Sequence, residues 1–223
     1  MKYFKHKYPQ NTWANQICTE LKILLKDLPG NASIVDAPCG NGIIASIIKQ
    51  SFPDKQVFAF DLNPELLKSP YRNNQKYNAE FKVHDIFEKM VEGENNIWLF
   101  INSMYCLSDN EKLINGQKSS FKYIIAVFPD IEADNYNFFL SQNRDFRNPS
   151  AMSLNDTVDF MNDNGYHVIK RIGITKIKFH IWNRKFIFKL MPNSLRNIVF
   201  TCLDKLLLNK KPQYSLMIFK RYE

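Results

Sequence analysis

One glycine-containing stretch, residues 33–46, holds the residue types best suited to ligand binding. It reads SIVDAPCGNGIIAS, in which an apolar run ends at Asp36, two glycines follow at Gly40 and Gly42, and a second apolar run begins. Glycine adopts turn conformations and permits close backbone approach that a β-carbon would obstruct. The free amides at the start of the next helix can receive an anionic ligand group. The pattern predicts a strand, a tight turn and a helix N-terminus that together hold a nucleotide-like ligand.

Polar residues also follow three later apolar runs, QVFAFD, AEFKVHD and NNIWLFINS. The positions at or beside the ends of these runs are Asp61, Leu62, Asp85, Ile86, Asn102 and Ser103. In open parallel sheets, ligands bind outside the carboxyl ends of the strands, near the point where the strand order reverses. We therefore expect these positions to share one edge of a sheet with the glycine turn.

The elements that must position these residues alternate between strand-like and helix-like runs. Residues 12–28 have apolar residues at helical spacing and are followed by Pro29-Gly30, which predicts a leading amphipathic helix. Asn63 before Pro64 predicts a helix cap, and Ser108 with Glu111 forms a capping-box pattern. Such alternation predicts an α/β fold with a mostly parallel sheet and helices on both faces.

The second half of the chain continues this pattern with one interruption. The run YIIAVFPD at 123–130 predicts a fifth strand, residues 131–150 have no clear period and are interpreted as a loop or lid, and a helix is expected from Ser153 until shortly before Gly165. Sixth and seventh strands are expected at 167–179 and 213–221. Between them, residues 195–207 repeat apolar residues on one helical face, which predicts an extra amphipathic helix.

Taken together, the strand-end residues resemble the class I S-adenosylmethionine-dependent methyltransferases. In that family the first loop has an acidic residue followed by a GxG, matched here by Asp36-Ala37-Pro38-Cys39-Gly40-Asn41-Gly42. The family also has an acidic residue closing strand two and an Asp after strand three, matched by Asp61 and Asp85. The resemblance covers about residues 12–170 and implies a seven-stranded, Rossmann-like sheet whose last strand is antiparallel.

The resemblance implies a role for each matched residue. S-adenosylmethionine is the implied cofactor, Asp61 would accept both ribose hydroxyls, and Asp85 would contact the adenine amino group beside Ile86. Gly40 and Gly42 would let the main chain pass under the methionine part, while Asp36 would organise the loop or the amino group. The predicted cofactor-binding set is Asp36, Ala37, Gly40, Asn41, Gly42, Asp61, Leu62, Asp85, Ile86, Asn102 and Ser103.

A nicotinamide-binding domain is the nearest competing interpretation. The run GNGIIA also fits GxGxxA, and Asp61 lies about 20 residues beyond, where a ribose-binding acid would stand. The acidic Asp36 before Gly40 and the Asp85 after strand three favour S-adenosylmethionine, because the nicotinamide fingerprint needs neither.

The sequence names no catalytic residue. Methyl transfer is an in-line displacement at an activated carbon, so alignment of the acceptor can supply much of the catalysis. His84, Tyr105, Tyr136 and His167 are candidate bases, each interpreted first as structural. Asn102-Ser103-Met104-Tyr105 keeps only the outer positions of the (D/N/S)PP(Y/F) motif of nucleic-acid amino methyltransferases, and Pro38-Cys39 stands in the wrong loop for a cytosine C5 enzyme. Both features disfavour base methylation.

Charge is distributed unevenly along the chain. Residues 166–223 contain 13 Lys/Arg against Asp204 and Glu223, whereas the rest of the chain is slightly acidic. Within this quarter, residues 178–188 interleave cations with aromatic side chains, as in KFHIWNRKFIF. An anionic or lipid-linked small acceptor, an anionic membrane surface, RNA, and an ordinary solvated face all remain open as explanations.

These observations favour a single cytoplasmic domain over residues 1–223, with a cofactor-binding core at 12–170 and a substrate-side insert at 175–212. No apolar run is long enough for a membrane span, and the four cysteines and four histidines show no metal-ligand spacing. The preferred function is methyl transfer to a small metabolite or biosynthetic intermediate. RNA methylation and a catalytically silent cofactor-binding partner subunit are the alternatives.

Overall fold

The computed structural model describes residues 7–67, 79–101, 103, 109–129, 154–174, 195, 199, 202 and 214–223. Its helices are α1 (Lys7–Leu24), α2 (Ile43–Ser51), α3 (Pro64–Leu67), α4 (Asn110–Gln117) and α5 (Leu154–Asp163). Its strands are β1 (Ile34–Asp36), β2 (Val57–Asp61), β3 (Glu80–Val83), β4 (Asn96–Ile101), β5 (Phe121–Pro129), β6 (Tyr166–Ile174) and β7 (Tyr214–Arg221). These elements alternate along the chain as the sequence pattern predicts.

The strands form one seven-stranded sheet with the order β3-β2-β1-β4-β5-β7-β6. Strands β1 to β5 pair in parallel, and β7 pairs antiparallel with both β5 and β6. The predicted mostly parallel sheet with an antiparallel last strand is confirmed. Because the chain order reverses between β1 and β4, the loop after β1 opens at the switch point where ligands bind in such sheets.

Each face of the sheet is covered by helices and has its own hydrophobic core. Successive strand residues point to opposite faces, so Ile34 joins one core and Val35 the other. Helices α1 and α2 cover the first face, on which Ile17 and Leu21 of α1 are fully buried. Helices α4 and α5 cover the second face through residues such as Leu113 and Met161. This three-layer arrangement holds the strand ends rigidly in place.

Three helix boundaries differ from the sequence predictions. Helix α1 begins at Lys7, earlier than the predicted residue 12. Helix α1 ends at Leu24, before the Pro29-Gly30 stop, because the amides of Lys26 and Asp27 bond to carbonyls three residues back, at 3.2 and 3.1 Å, and tighten the last turn. The capping box at Ser108 was also wrong. The cap of α4 is Asp109, whose Oδ1 accepts a 3.0 Å hydrogen bond from the Lys112 amide. Adjacent Ser and Asp are both good caps, so the pattern alone misplaces the start by one residue.

Several sequence predictions lie outside the described residues. These are the 131–150 loop or lid, the 178–188 basic and aromatic cluster, most of the 175–212 insert, and Asn102, Tyr105 and Tyr136. Of the predicted 195–207 helix, Leu195, Val199 and Cys202 are helical, with Leu195 and Cys202 exposed. Among the helices within the described ranges, none is both long enough and apolar enough to cross a bilayer.

Candidate functional site

The loop after β1 is fastened to β4 at its base. The Trp98 indole Nε1 donates a 2.7 Å hydrogen bond to the Ala37 carbonyl, and the Ala37 amide donates to the Leu99 carbonyl at 3.2 Å. Ala37 and Trp98 are both fully buried. Ala37 therefore supports the loop from beneath, and its predicted contact with a ligand stays a prediction. Trp98 was missed by the sequence interpretation, which treated the apolar β4 run as uniform core.

Gly40 and Gly42 of this loop are required to be glycine by different features of the structure. Both have positive φ angles, +55° at Gly40 and +72° at Gly42, in the left-handed region that glycine favours. A β-carbon on Gly42 would overlap the Phe81 ring, whereas one on Gly40 would meet nothing within 4 Å. Gly42 is thus required by the packing of β3. Gly40 faces open space, where a ligand can approach the main chain.

Asp36 lies at the end of β1 and is 1% exposed. Its Oδ2 accepts a 3.1 Å hydrogen bond from the amide of Ala45 in the first turn of α2, a position that complements the helix N-terminus. The pKa of Asp36 is raised to about 8, chiefly by burial and also by the negative charge of Asp61, while the hydrogen bond from Ala45 acts to lower it. The raised pKa favours the protonated form of this carboxyl.

Asp61 lies at the end of β2 and joins two loops. Its Oδ2 accepts a 2.8 Å hydrogen bond from the Gly40 amide, and its Oδ1 accepts a 2.9 Å hydrogen bond from the Asn63 amide. Asn63 in turn caps α3, with its Oδ1 accepting from the Glu65 amide at 3.0 Å, as predicted. A carboxylate has about four acceptor positions, so Asp61 retains capacity for ligand hydroxyl groups.

Apolar residues are exposed beside Asp61 on the same edge of the sheet. Leu62 is 66% exposed, and Val83, which is paired with Asp61 in the β2–β3 register, is 57% exposed. Val83 stands at the carboxyl edge, where no helix covers it among the described residues. Two exposed aliphatic side chains at this edge offer a surface for a flat apolar ring.

The turn after β3 is built around Asp85 and Gln117. Asp85 Oδ1 accepts a 3.0 Å hydrogen bond from the Phe87 amide, and Ile86 is buried. Gln117 of α4 donates from Nε2 to the Ile86 and Glu88 carbonyls at 2.9 and 2.6 Å, and accepts from the Met90 amide at 3.3 Å. The sequence interpretation missed Gln117. Its spacing from Leu113 and Ile114 on the buried face of α4 was the signal for it.

The end of β4 contributes Ser103 to this edge. Ser103 is 8% exposed, and its hydroxyl donates to the Ile101 carbonyl at 3.1 Å. Its predicted partner, Asn102, lies outside the described residues. Whether these two residues contact a ligand stays a prediction.

The two described candidate bases, His84 and His167, lie at opposite ends of the sheet strands. His84 directly follows β3 and packs on the Phe60 ring, with 4.9 Å between ring centroids. His167 was placed near the site by the sequence interpretation, and this is wrong. It lies at the start of β6, paired with Lys220 and stacked on Tyr222, at the edge of the sheet opposite the cofactor loops.

Among the described residues, this region has neither a reactive cysteine nor a cluster of metal-ligating side chains. Burial and the neighbouring carboxylates of Asp36 and Asp61 raise the pKa of the Cys39 thiol far above its ordinary value, so it is a poor nucleophile. Over the part of the chain that the structure describes, no group of three or more His, Cys, Asp or Glu side chains could hold a metal ion.

Known proteins resemble this chain in sequence over part of its length. Residues 15–100 match the model of the methyltransferase small domain. Methyltransferase 235L of Invertebrate iridescent virus 6, so named, is 25% identical over 172 residues, which make up 73% of this chain and 62% of that protein. The release factor glutamine methyltransferase of Koribacter versatilis is 28% identical over 97 residues, covering 43% of this chain and 35% of that protein. The matched segment contains β1, β2 and β3 and most of β4, and it is similar to a methyltransferase domain.

Solved structures of methyltransferases share the fold of this chain. The structure described as a sarcosine dimethylglycine methyltransferase of Galdieria sulphuraria superimposes with a TM-score of 0.66 at 13% identity, covering 96% of this chain and 91% of that one. Magnesium protoporphyrin IX methyltransferase of Synechocystis, solved with bound S-adenosylhomocysteine, gives 0.61 at 13% identity, covering 96% and 83%. At such identities the likeness concerns the fold. The chain spans less than two thirds of the length of both curated relatives.

Proposed function

We propose that this protein is a class I S-adenosylmethionine-dependent methyltransferase, which binds its cofactor across the ends of β1, β2 and β3 and transfers the methyl group to a small metabolite. The observation that carries the cofactor assignment is the Asp61 carboxylate. It is buried, it holds the Gly40 amide at 2.8 Å, and Gly40 faces open space. This arrangement brings a ribose-binding acid and an approachable main chain into one place.

The other predicted residues complete the proposed cofactor site. Asp61 would bind the ribose hydroxyls, the exposed Leu62 and Val83 would cover the adenine, and Asp85 would receive its amino group. The methionine part would pass over Gly40 and Asn41 toward Asp36. We propose that Ser103 and Asn102, at the end of β4, lie on the side from which the acceptor enters.

The chemistry needs little from the protein beyond alignment. A lone pair of the acceptor atom forms a bond to the methyl carbon while the carbon–sulfur bond breaks, and its electron pair remains on sulfur as a neutral thioether. Holding the two reactants in line is the main contribution of such a site. His84, which directly follows β3, is a candidate base for removing a proton from the acceptor.

Support for a small acceptor comes from the names of proteins with the same fold. Sarcosine and dimethylglycine, magnesium protoporphyrin IX and phosphoethanolamine are the acceptors named for three of them. We propose the same class of acceptor here, with the 175–212 segment as the substrate-side part of a single domain. The net charge of +11 over residues 166–223 would then favour an anionic acceptor, either free or lipid-linked.

RNA is the alternative acceptor, because cations and aromatic side chains alternate in residues 178–188. A silent partner subunit is the non-enzymatic alternative. It would bind S-adenosylmethionine and methylate nothing.

Two experiments test the proposal in sequence. Equilibrium dialysis of the purified chain with labelled S-adenosylmethionine, and separately with labelled NAD, should show binding of the first alone. Incubation with methyl-labelled cofactor and either a pool of small metabolites or total RNA should then move the label into the metabolite fraction. Label in RNA would replace the preferred acceptor, and binding without transfer to either fraction would favour the silent subunit. NAD binding without S-adenosylmethionine binding would refute the cofactor assignment.

A further inference from the structure

The predicted helix over residues 195–207 has part of its apolar face exposed to solvent. Its described residues, Leu195, Val199 and Cys202, are all helical. Because they are four and seven positions apart from Leu195, they fall within about 60° of one another around the helix axis. Leu195 is 46% exposed and Cys202 is also exposed, whereas Val199 is half-buried. These three residues form an exposed stripe that the rest of the chain leaves uncovered along its centre.

The exposed stripe lies in the middle of the apolar pattern that predicts this helix. The sequence repeats apolar residues through the same segment, and Leu206 falls at helical spacing beside Cys202. A single exposed apolar side chain is ordinary on a protein surface, but several aligned on one helical face are typical of a contact surface. The exposed stripe therefore needs a partner of its own.

Charge around the exposed stripe favours an anionic partner. Residues 175–212 contain nine Lys or Arg against Asp204, a net charge of +8, which equals the net charge of the whole chain. The other residues are therefore neutral in sum. Two copies of this segment would repel each other, whereas an anionic surface would be attracted to it.

The chemistry of the stripe separates a lipid surface from a nucleic acid. Nucleic acids are bound through phosphate contacts and through stacking of bases on aromatic rings, and aliphatic Leu195 and Val199 offer neither. A bilayer accepts aliphatic side chains at the boundary of its acyl chains, while Lys and Arg beside them contact anionic headgroups. Helical spacing predicts Arg196 and Lys205 on the two flanks of the exposed stripe, as such contacts require.

We propose that the exposed stripe docks this protein on an anionic lipid bilayer, with the helix lying in the plane of the interface. The predicted helix of 13 residues is about 20 Å long, shorter than the roughly 30 Å hydrocarbon core, so it lies along the surface. Leu195 and Cys202 enter the boundary between headgroups and acyl chains. The inference goes beyond the proposed function and is independent of it, because docking requires neither cofactor nor methyl acceptor.

Flotation of the purified chain with lipid vesicles tests the docking surface. One set of vesicles contains phosphatidylcholine alone, and the other contains equal parts of phosphatidylcholine and phosphatidylglycerol. We expect the chain to float with the anionic vesicles only, and high salt to weaken this association because the charges are screened.

Leu195→Gln is the variant that tests the apolar part of the contact. It should weaken association with anionic vesicles about tenfold, because burial of a Leu side chain corresponds to about one decade or more in a binding constant. Ile23→Gln is the matched control, since Ile23 of α1 is 51% exposed and lies outside the basic segment. Its association should stay within about twofold of that of the unaltered chain.

Protection of Cys202 supplies a second measurement, which needs no variant. Its thiol is exposed, so a charged thiol reagent in the buffer reaches it, and analysis of separate peptides distinguishes it from the buried Cys18. Anionic vesicles should slow its alkylation several-fold, whereas neutral vesicles should leave the rate unchanged. An unchanged rate in chain that floats with anionic vesicles would contradict insertion of the exposed stripe.

Four other results would overturn the proposal. Absence of flotation with anionic vesicles would refute docking, and equal flotation of Leu195→Gln and the unaltered chain would show that charge alone holds the protein there. Salt-sensitive binding to RNA without flotation would assign the basic segment to RNA. Self-association in solution that Leu195→Gln abolishes would assign the exposed stripe to a second copy of the chain. None of these results bears on S-adenosylmethionine binding, which dialysis measures separately.

Discussion

The Asp61 carboxylate at the end of β2 accepts a 2.8 Å hydrogen bond from the Gly40 amide, 21 residues earlier in the chain. This bond joins the loop after β1 to the loop after β2. It also places the acid beside the one loop glycine that faces open space. Support of the main chain and recognition of a ligand therefore depend on the same carboxylate.

Replacement of Asp61 by alanine should weaken S-adenosylmethionine binding at least tenfold. Loss of a charge-assisted hydrogen bond typically costs about 1.5–3 kcal/mol, and about 1.4 kcal/mol corresponds to one decade of affinity. Calorimetry at neutral pH measures the change. The control is Asp54→Ala, which removes the same charge from an exposed turn after α2 and should leave affinity within about twofold. Unchanged affinity in a folded Asp61→Ala protein would exclude a role for this residue in binding.

Replacement of Gly40 by alanine should mainly weaken ligand binding, whereas replacement of Gly42 by alanine should mainly reduce stability. Gly40→Ala should cost about 1–2 kcal/mol of stability for its left-handed backbone, and its methyl group would occupy the space of the ligand, so binding should suffer most. Gly42→Ala has the same backbone cost and must also displace the Phe81 ring, so its stability loss should be the larger. Thermal melts with and without S-adenosylmethionine separate the two. Equal ligand-induced stabilisation in Gly40→Ala and the unaltered protein would contradict the prediction.

The contribution of Asp36 to the stability of the ligand-free protein should decline as pH rises from about 4 to about 8. Its pKa is raised from 3.8 to about 8 in the folded state, so the folded protein holds a proton that the unfolded chain has lost. The stabilisation from protonated Asp36 is fully present at pH values below its pKa of 3.8 in the unfolded chain. It is lost as the pH rises through its pKa of about 8 in the folded protein. The loss is at most about 1.4 kcal/mol per pH unit.

Asp36→Asn removes that dependence, so the difference in stability between variant and unaltered protein should grow in favour of the variant from pH 5 to pH 7. Urea denaturation at several pH values measures it. A constant difference across this range would mean that Asp36 does not titrate there.

Lys170 should contribute to stability through a nearly buried partner. Its Nζ lies 2.7 Å from Glu20 Oε2, and the Glu20 side chain is 4% exposed, while that of Lys170 is 44% exposed. Lys170→Met leaves a buried carboxylate whose one remaining side-chain partner among the described residues is the Gln16 amide at 3.1 Å, and we expect a loss of about 1–3 kcal/mol. Lys220→Met is the control, since its partner Glu223 is 81% exposed and such pairs are worth at most about 1 kcal/mol. Equal losses in chemical denaturation would count against the prediction.

Much of the fold follows from the periodicity of apolar residues. The β1 and β2 runs end in Asp36 and Asp61 because buried parallel strands read as continuous apolar stretches that stop where the chain emerges. Gly165 was expected past the end of α5, and it has a φ of +84° there. Local signals of this kind identify elements and their ends.

Contacts between distant parts of the chain could not be predicted in the same way. The Trp98 bond to the Ala37 carbonyl and the Gln117 bonds to the turn after β3 join residues that sequence proximity does not relate. His167 was misplaced for a different reason. It stands at the start of β6, which runs in the same direction as β5, so it lies at the end of the sheet opposite the carboxyl ends where ligands bind.

The position of β7 bears on how the protein folds during synthesis. Strand β7 lies between β5 and β6, which pair with it and not with each other. Among the described strands, β5 therefore has a free edge and β6 has no neighbour until residues 214–221 emerge from the ribosome. Unpaired edges invite association with other chains. The nascent protein should depend on chaperones longest at this half of the sheet, while the β1, β2 and β4 half that holds the cofactor loops can assemble earlier.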